Sequence, residues 1–261
     1  MTARPAQARG KMTLYRRPGL LRAVQTHYCP GCGHGIVHRL VAEVIEELGL
    51  QEQTIGVAPV GCAVIAYDYI DIDWTEAAHG RPPAVATGLK RIHPDKIVFT
   101  YQGDGDLASI GMAETIHTAN RGENITVIFI NNAVFGMTQG QMAPTTLVGQ
   151  KTWTTPRGRD PKDTGYPIRM CELLDRLQAP ALLARTTVTT PQRVRETKRL
   201  LKKAFQYQMA GAGFSFVEVL SPCPTYWRMT PIESCRHIED TMAEVFPLGI
   251  IRDAKAEKAA K

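Results

Sequence analysis

Apolar side chains recur at helical spacing over residues 35–49 (GIVHRLVAEVIEELG). Ile36, Val37, Leu40, Val41, Val44, Ile45 and Leu48 form one stripe, and Gly49 supplies the stop. His38 lies on this helix and reads as a partly exposed residue. A short apolar run, Thr54–Val60, follows, and residues 82–93 (PPAVATGLKRIH) read as a helix with proline near its start. Lys96–Tyr101 (KIVFTY) and Ile125–Ile130 (ITVIFI) are apolar runs of strand length, continuous rather than alternating, as strands buried on both faces are. Ala108–Arg121 between them reads as a helix. Leu182–Val188 and Phe214–Leu220 are further strands, separated by a long basic helix, Pro191–Ala210, capped by Thr190. The stretch from Val134 to Gly165 is rich in Gly, Pro and Thr and reads as a long functional loop. The repeating β–α–β order predicts one α/β domain, a doubly wound, mostly parallel sheet.

The chain has 261 residues, enough for one sizeable core. No stretch approaches the ~18 apolar residues a membrane-spanning helix needs, so no membrane association is expected. The formal charge of +6 is unevenly placed. Residues 1–22 carry Arg4, Arg9, Lys11, Arg16, Arg17 and Arg22 and no acid, so the remainder is neutral. That excludes a globally basic nucleic-acid-coating protein and suggests an arm that is either solvated or meets an acidic partner. The arm lacks the apolar run of a secretory signal, and the expected compartment is the cytoplasm. The segments are therefore a basic arm (1–22), one domain (23–250) and a solvated tail (251–261).

Six cysteines without an export signal point to thiols rather than a disulfide framework. Cys29 and Cys32 form C-P-G-C, a turn able to aim both sulfurs at one point, and Cys62 follows in V-G-C-A. Spacing alone leaves two readings open: zinc, with His34 as a conceivable ligand, or an iron–sulfur cluster held by four cysteines. Two apolar strands end in notable residues. KIVFTY runs into Gly103-Asp104-Gly105-Asp106, and ITVIFI into Asn131-Asn132. Adjacent parallel strands deliver both endings to one carboxyl edge, where such sheets bind ligands. A carboxylate and an amide oxygen converging there suit Mg²⁺, which keeps coordination sites for phosphates. Gly103 and Gly105 would let the backbone approach a diphosphate, with the following helix N-terminus pointing at it. Asp106 suits a helix-capping role as well as a cofactor role.

G-D-G, twenty-five residues, then N-N resembles the thiamine-diphosphate signature. With C-P-G-C-G-H-G, V-G-C, H-G-R, G-M-T-x-G-Q and S-P-C-P-T, the chain resembles the β subunit of 2-oxoacid:ferredoxin oxidoreductases over roughly residues 25–230. The resemblance implies the thiamine-diphosphate-binding fold, with Mg²⁺ on Asp104, Asn132 and the Val134 carbonyl. It implies a [4Fe–4S] cluster on Cys29, Cys32, Cys62 and Cys223, leaving Cys171 and Cys235 as ordinary buried cysteines. His79 and Arg81 of H-G-R and Thr138 become candidate contacts to the cofactor. The implied reaction converts a 2-oxoacid and coenzyme A to an acyl-CoA, with electrons leaving for ferredoxin. The implied partners are an α subunit carrying the pyrimidine-side domain, and γ and ferredoxin-like δ subunits. The loop G-Q-M-A-P-T-T with the downstream G-Y-P-I-R-M-C-E-L-L looks most like the branched-chain (2-oxoisovalerate) type. Two departures stand out: Gln139 occupies a position where glycine is expected, and His34, following the cysteine pair, receives no role. A cluster-free thiamine decarboxylase and a zinc-stabilised binding module are the rival expectations.

Overall fold

The computed structural model describes residues 16–255. A seven-stranded sheet is built from β1 (Thr54–Ala58), β2 (Asp73–Glu76), β3 (Ile97–Gly103), β4 (Thr126–Asn131), β7 (Leu182–Thr187), β8 (Ser215–Leu220) and β9 (Gly249–Asp253). Their order is β2-β1-β3-β4-β8-β7-β9, parallel throughout except for β9, which runs antiparallel on the β7 edge. Two further strands, β5 (Val134–Phe135) and β6 (Gln141–Met142), form a small hairpin.

Helices cover both faces, which is why the central strands β3, β4, β7 and β8 are almost wholly buried. On one side α1 (His34–Glu47) packs beside α6 (Pro191–Met209). Their apolar stripes, including Val41, Ile45, Leu201 and Phe205, meet Phe99, Ile128 and Val217 of the sheet. On the other side lie α2 (Pro82–Ile92), α3 (Met112–Asn120) and the short α5 (Met170–Leu174) against Val98, Val127 and Phe216. Beyond the carboxyl edge of β4 and β8, α7 (Pro224–Trp227), α8 (Pro231–His237), a π-helical turn at Ile238–Met242 and α9 (Ala243–Val245) enclose a third cluster around Leu147, Leu220 and Phe246. A single helical turn, α4 (Pro161–Thr164), lies in the long loop.

The expected strands and helices form, with four differences. The helical segment after β3 starts at Gly105, three residues earlier than the sequence predicts, as a π-turn over Gly105–Ile110. The edge strands β2 (DWTE) and β9 (GIIRD) have no continuous apolar run, because an edge strand need not be buried on both sides. β9 also reaches into the segment expected to be a solvated tail. Its Asp253 pairs opposite Leu182 and accepts hydrogen bonds from Tyr207 and Lys203, while residues 256–261 lie outside the described residues. His38, expected to be partly exposed, is buried among Tyr28, Tyr69 and Tyr101. Of the basic arm, residues 1–15 lie outside the described residues. The remainder docks on the body: Arg22 pairs with Asp71 at 2.6 Å, and Leu20 N–H donates to Glu46 Oε1 at 2.7 Å.

Thr190 caps α6 as expected, its Oγ1 accepting from Arg193 N–H at 3.2 Å. Thr190→Ala removes that acceptor, and denaturant unfolding should report a loss of about 1 kcal/mol. An unchanged midpoint would show that the α6 terminus needs no side-chain cap.

Candidate thiamine site and the cysteine turn beside it

The register of β3 and β4 sets Gly103 opposite Ile130, so the two strands leave the sheet together. Asp104 and Asn132 then emerge at the same carboxyl edge, both buried. Asp104 Oδ1 accepts from Gly105 N–H at 2.9 Å, and Oδ2 accepts from Thr145 Oγ1 at 2.7 Å. Burial pushes the Asp104 carboxyl up to about 7 against the pull of these hydrogen bonds. One terminal atom of the Asn132 amide lies 2.7 Å from the Val134 carbonyl oxygen and 3.2 Å from Asp104 Oδ1. As a nitrogen it donates to both. As an oxygen it accepts from Val134 N–H at 3.3 Å and stands beside two other acceptors, a donor set that suits a cation. The sequence-predicted trio is therefore gathered at one point.

Asp106 has a different duty from capping. Its Oδ1 accepts from Gly80 N–H at 2.9 Å and Val60 N–H at 3.4 Å, and its Oδ2 from Gln102 Nε2 at 2.7 Å. It thus ties together the chain beyond β1, the chain beyond β2 and the end of β3. His79 Nδ1 lies 2.6 Å from the same Oδ1, out of line for a hydrogen bond. Arg81 is turned away to an ion pair with Glu114, so the structure does not bring it to the cavity. Thr138 does line the cavity, and its hydroxyl donates to Gln141 Oε1 at 2.6 Å. Of the two glycines, Gly103 has open space where a Cβ would stand. At Gly105 a Cβ would fall 2.2 Å from the Phe135 ring. That glycine is demanded by packing against the β5–β6 hairpin, a reason the sequence did not disclose.

The cysteine turn sits alongside. Cys32 N–H donates to the Cys29 carbonyl at 3.0 Å, closing the turn, and Gly31 has a φ of 79°. A Cβ on Gly33 would fall 2.4 Å from Ser221 Oγ, and one on Gly31 2.6 Å from Pro231, so the turn is pressed onto the S-P-C-P segment and the start of α8. A Cβ on Gly136 would stand 3.1 Å from Cys62 Sγ and 3.9 Å from Cys223 Sγ, placing both sulfurs over that glycine. Burial pushes the Cys32 and Cys62 thiols up to about 11 and about 12, and raises Cys223 too. Each is raised further by charge on neighbouring cysteines. Among the described residues, no three His, Cys, Asp or Glu side chains close on a single point. Cys171 is buried as expected. Cys235 is only half-buried, on α8.

Three contributors were missed by sequence reasoning. Thr145 supports Asp104, and Gln102 supports Asp106. Gln102 had a visible signal, a polar residue inside a strand buried on both faces. His34, given no role, lines the cavity wall, with Nδ1 2.9 Å from the Tyr101 hydroxyl. Burial among rings lowers its pKa to about 3, keeping the imidazole neutral.

The doubly wound sheet with its strand-end carboxylate and amide is the architecture of a thiamine-diphosphate-binding domain. Residues 59–219 match the family described as thiamine pyrophosphate enzyme, C-terminal TPP binding domain. The chain is 52% identical over 244 residues to ketoisovalerate oxidoreductase subunit VorA of Methanothermobacter thermautotrophicus, covering 94% of this chain and 51% of that one. It is 40% identical over 201 residues to 2-oxoglutarate synthase subunit KorB of Methanocaldococcus jannaschii, covering 77% and 70%. The chain belongs to this family of thiamine-dependent 2-oxoacid oxidoreductase subunits, and it spans about half the length of the ketoisovalerate relatives it matches. The 2-oxoglutarate:ferredoxin oxidoreductase from Magnetococcus marinus shares the fold, with a TM-score of 0.75 over 96% of this chain and 91% of that one at 23% identity.

Gln139, where the resemblance leads one to expect glycine, adopts a φ of 83°. This left-handed conformation is unfavourable for a side chain with a Cβ. Gln139→Gly should stabilise the protein by about 1 kcal/mol in denaturant unfolding. A loss of stability would mean that the glutamine side chain holds the hairpin more than its backbone strains it.

Proposed function

We propose that this chain is the thiamine-diphosphate and iron–sulfur subunit of a cytoplasmic enzyme that oxidatively decarboxylates a branched-chain 2-oxoacid, 2-oxoisovalerate, to its acyl-CoA. The observation that carries the reading is the meeting of Asp104, Asn132 and the Val134 carbonyl at one strand edge, with the Cys62 and Cys223 sulfurs over Gly136 beside it. Thiamine diphosphate supplies the electron sink that cleaves the bond to the carboxylate, and a [4Fe–4S] cluster supplies one-electron acceptance.

The donor chemistry of the residues suits both groups: hard oxygens at the strand edge and thiols around the C-P-G-C turn. Asp104, Asn132 and Val134 O offer three hard oxygens for Mg²⁺, leaving its remaining sites to the diphosphate. Gly103 leaves open space for that diphosphate, and the helical segment starting at Gly105 presents its N-terminus. Thr138 and His79 face the same cavity as candidate contacts. We assign no such contact to Arg81, which Glu114 holds, and we read Asp106 as the cross-link that fixes the cavity floor. Cys29, Cys32, Cys62 and Cys223 are the cluster ligands, their like charges balanced once iron is bound. His34, neutral and hydrogen-bonded to Tyr101, lines the cavity together with Cys62.

The pyrimidine side of the cofactor needs a second domain, which we assign to an α subunit, so that the active site lies between subunits. We assign onward electron transfer to γ and ferredoxin-like δ subunits and then to ferredoxin. The basic arm is a candidate contact for one of these acidic partners. No helix among the described residues is long and apolar enough to cross a membrane.

Anaerobic purification with the partner subunits tests the reading. The chain should carry about four irons, and the complex should reduce a viologen dye with 2-oxoisovalerate and coenzyme A. Asp104→Ala should abolish dye reduction while leaving the iron in place. Bound zinc, or aldehyde release without dye reduction, would overturn the proposal in favour of a binding module or a non-redox decarboxylase.

A further inference from the structure

Two fully buried, oppositely charged residues lie deep in the sheet, opposite one another in the β7–β8 register: Arg185 and Glu218. Such a pair is costly to desolvate and is weak grounds for stability on its own. Its surroundings point elsewhere. Arg185 Nε donates to Glu218 Oε2 at 2.8 Å, and the terminal nitrogens grip both oxygens of Glu172 at 2.9 and 2.6 Å and the Pro247 carbonyl at 3.1 Å. That fork fixes the Glu218 carboxylate. Its other oxygen, Oε1, accepts from Asn131 Nδ2 at 2.8 Å.

This last bond settles which way the Asn131 amide faces. With nitrogen toward Glu218, its oxygen must face the turn, where it accepts from Ala133 N–H at 3.2 Å. The bond bridges over Asn132 and holds Ala133 at a φ of 57°, a conformation alanine otherwise avoids. Thr146 Oγ1 and Trp227 Nε1 hold the carbonyls of Ala133 and Asn132 from outside, at 2.6 and 3.0 Å. Only with the turn in this shape do the Asn132 amide and the Val134 carbonyl reach the same point as Asp104.

We propose that the buried Arg185–Glu218 pair, acting through Asn131, is a positioning device that holds the Asn132–Val134 turn in its cation-accepting shape. The inference rests on the metal-site reading above. Glu218→Gln offers a shape-preserving test. Its single oxygen goes to Arg185, which leaves an NH₂ facing Asn131 and forces that amide to turn, so the Ala133 N–H loses the Asn131 oxygen as its acceptor. Asn131→Ala removes the link directly and serves if the Glu218 variant does not fold.

The readout is Mn²⁺ bound in the presence of thiamine diphosphate, counted by electron paramagnetic resonance on the full chain in the complex in which it purifies. Both variants should raise the Mn²⁺ concentration for half-occupancy about tenfold or more, as loss of outer support to metal ligands does. Thr197→Ala is the stability control. It removes buried hydrogen bonds to Thr186 and the Thr187 carbonyl without touching the turn, and should leave Mn²⁺ demand unchanged. Wild-type Mn²⁺ demand in Asn131→Ala, or an equal shift in Thr197→Ala, would overturn the inference while leaving the metal site standing. Wild-type demand in Asn132→Ala would overturn the metal-site reading itself, and the inference with it.

Discussion

The parallel pairing of β3 with β4 is the constraint on which the site depends. Because both strands are buried on both faces, the register that sets Gly103 against Ile130 is locked by Phe99, Tyr101, Ile128 and Ile130 in the surrounding cores. A slip of one residue would exchange the two faces of each strand and separate the strand ends. The Asp104, Asp106 and Asn132 side chains all begin where that pairing stops. Asp104 and Asn132 sit one and two residues beyond the last paired positions of their strands, Gly103 and Ile130.

Charge at this edge is managed by burial with partners. Asp106 would be expensive to bury alone, yet it receives three donors from three different segments and becomes the tie among them. Asp104 accepts from Gly105 N–H and Thr145 Oγ1, yet its burial still holds its pKa above the usual carboxylate range. The contrast separates two aspartates that the motif G-D-G-D presents side by side. One ties three segments together, and the other faces the Asn132–Val134 turn.

Much of this was legible in the sequence because it rests on local rules. Continuous apolar runs gave the buried strands, the Thr190 cap gave the start of α6, and the paired endings gave the carboxyl-edge site. What escaped is set by tertiary contact. Arg81 was read as a site residue from its place in H-G-R, but the nearness of Glu114 across the α2–α3 packing decides its orientation. Gly105 was read as room for a diphosphate, whereas Phe135 from a hairpin thirty residues on fills that space. The edge strands β2 and β9 carry no apolar run, and their pairing follows from the exposed edges of β1 and β7 rather than from their own composition. His38 sits on the buried side of α1 because aromatic residues from three other segments close over it.

The segment from Ala133 to Gly140 explains why the two candidate centres are adjacent. Within eight residues it offers the Val134 carbonyl to the candidate metal position, the Phe135 ring to Gly105, Gly136 as the floor beneath Cys62 and Cys223, and Thr138 to the cavity wall. Three of its residues, Ala133, Gln139 and Gly140, have left-handed φ values, so its shape is imposed by its neighbours. Thr146 and Trp227 anchor one end, and Tyr226 packs over Gly140 at the other. A displacement of this hairpin toward the cysteines would therefore also move the Val134 carbonyl. The spacing between the Val134 carbonyl and the Cys62 and Cys223 sulfurs is thus set by a single strained turn rather than by the sheet, and that turn is held from behind by Asn131.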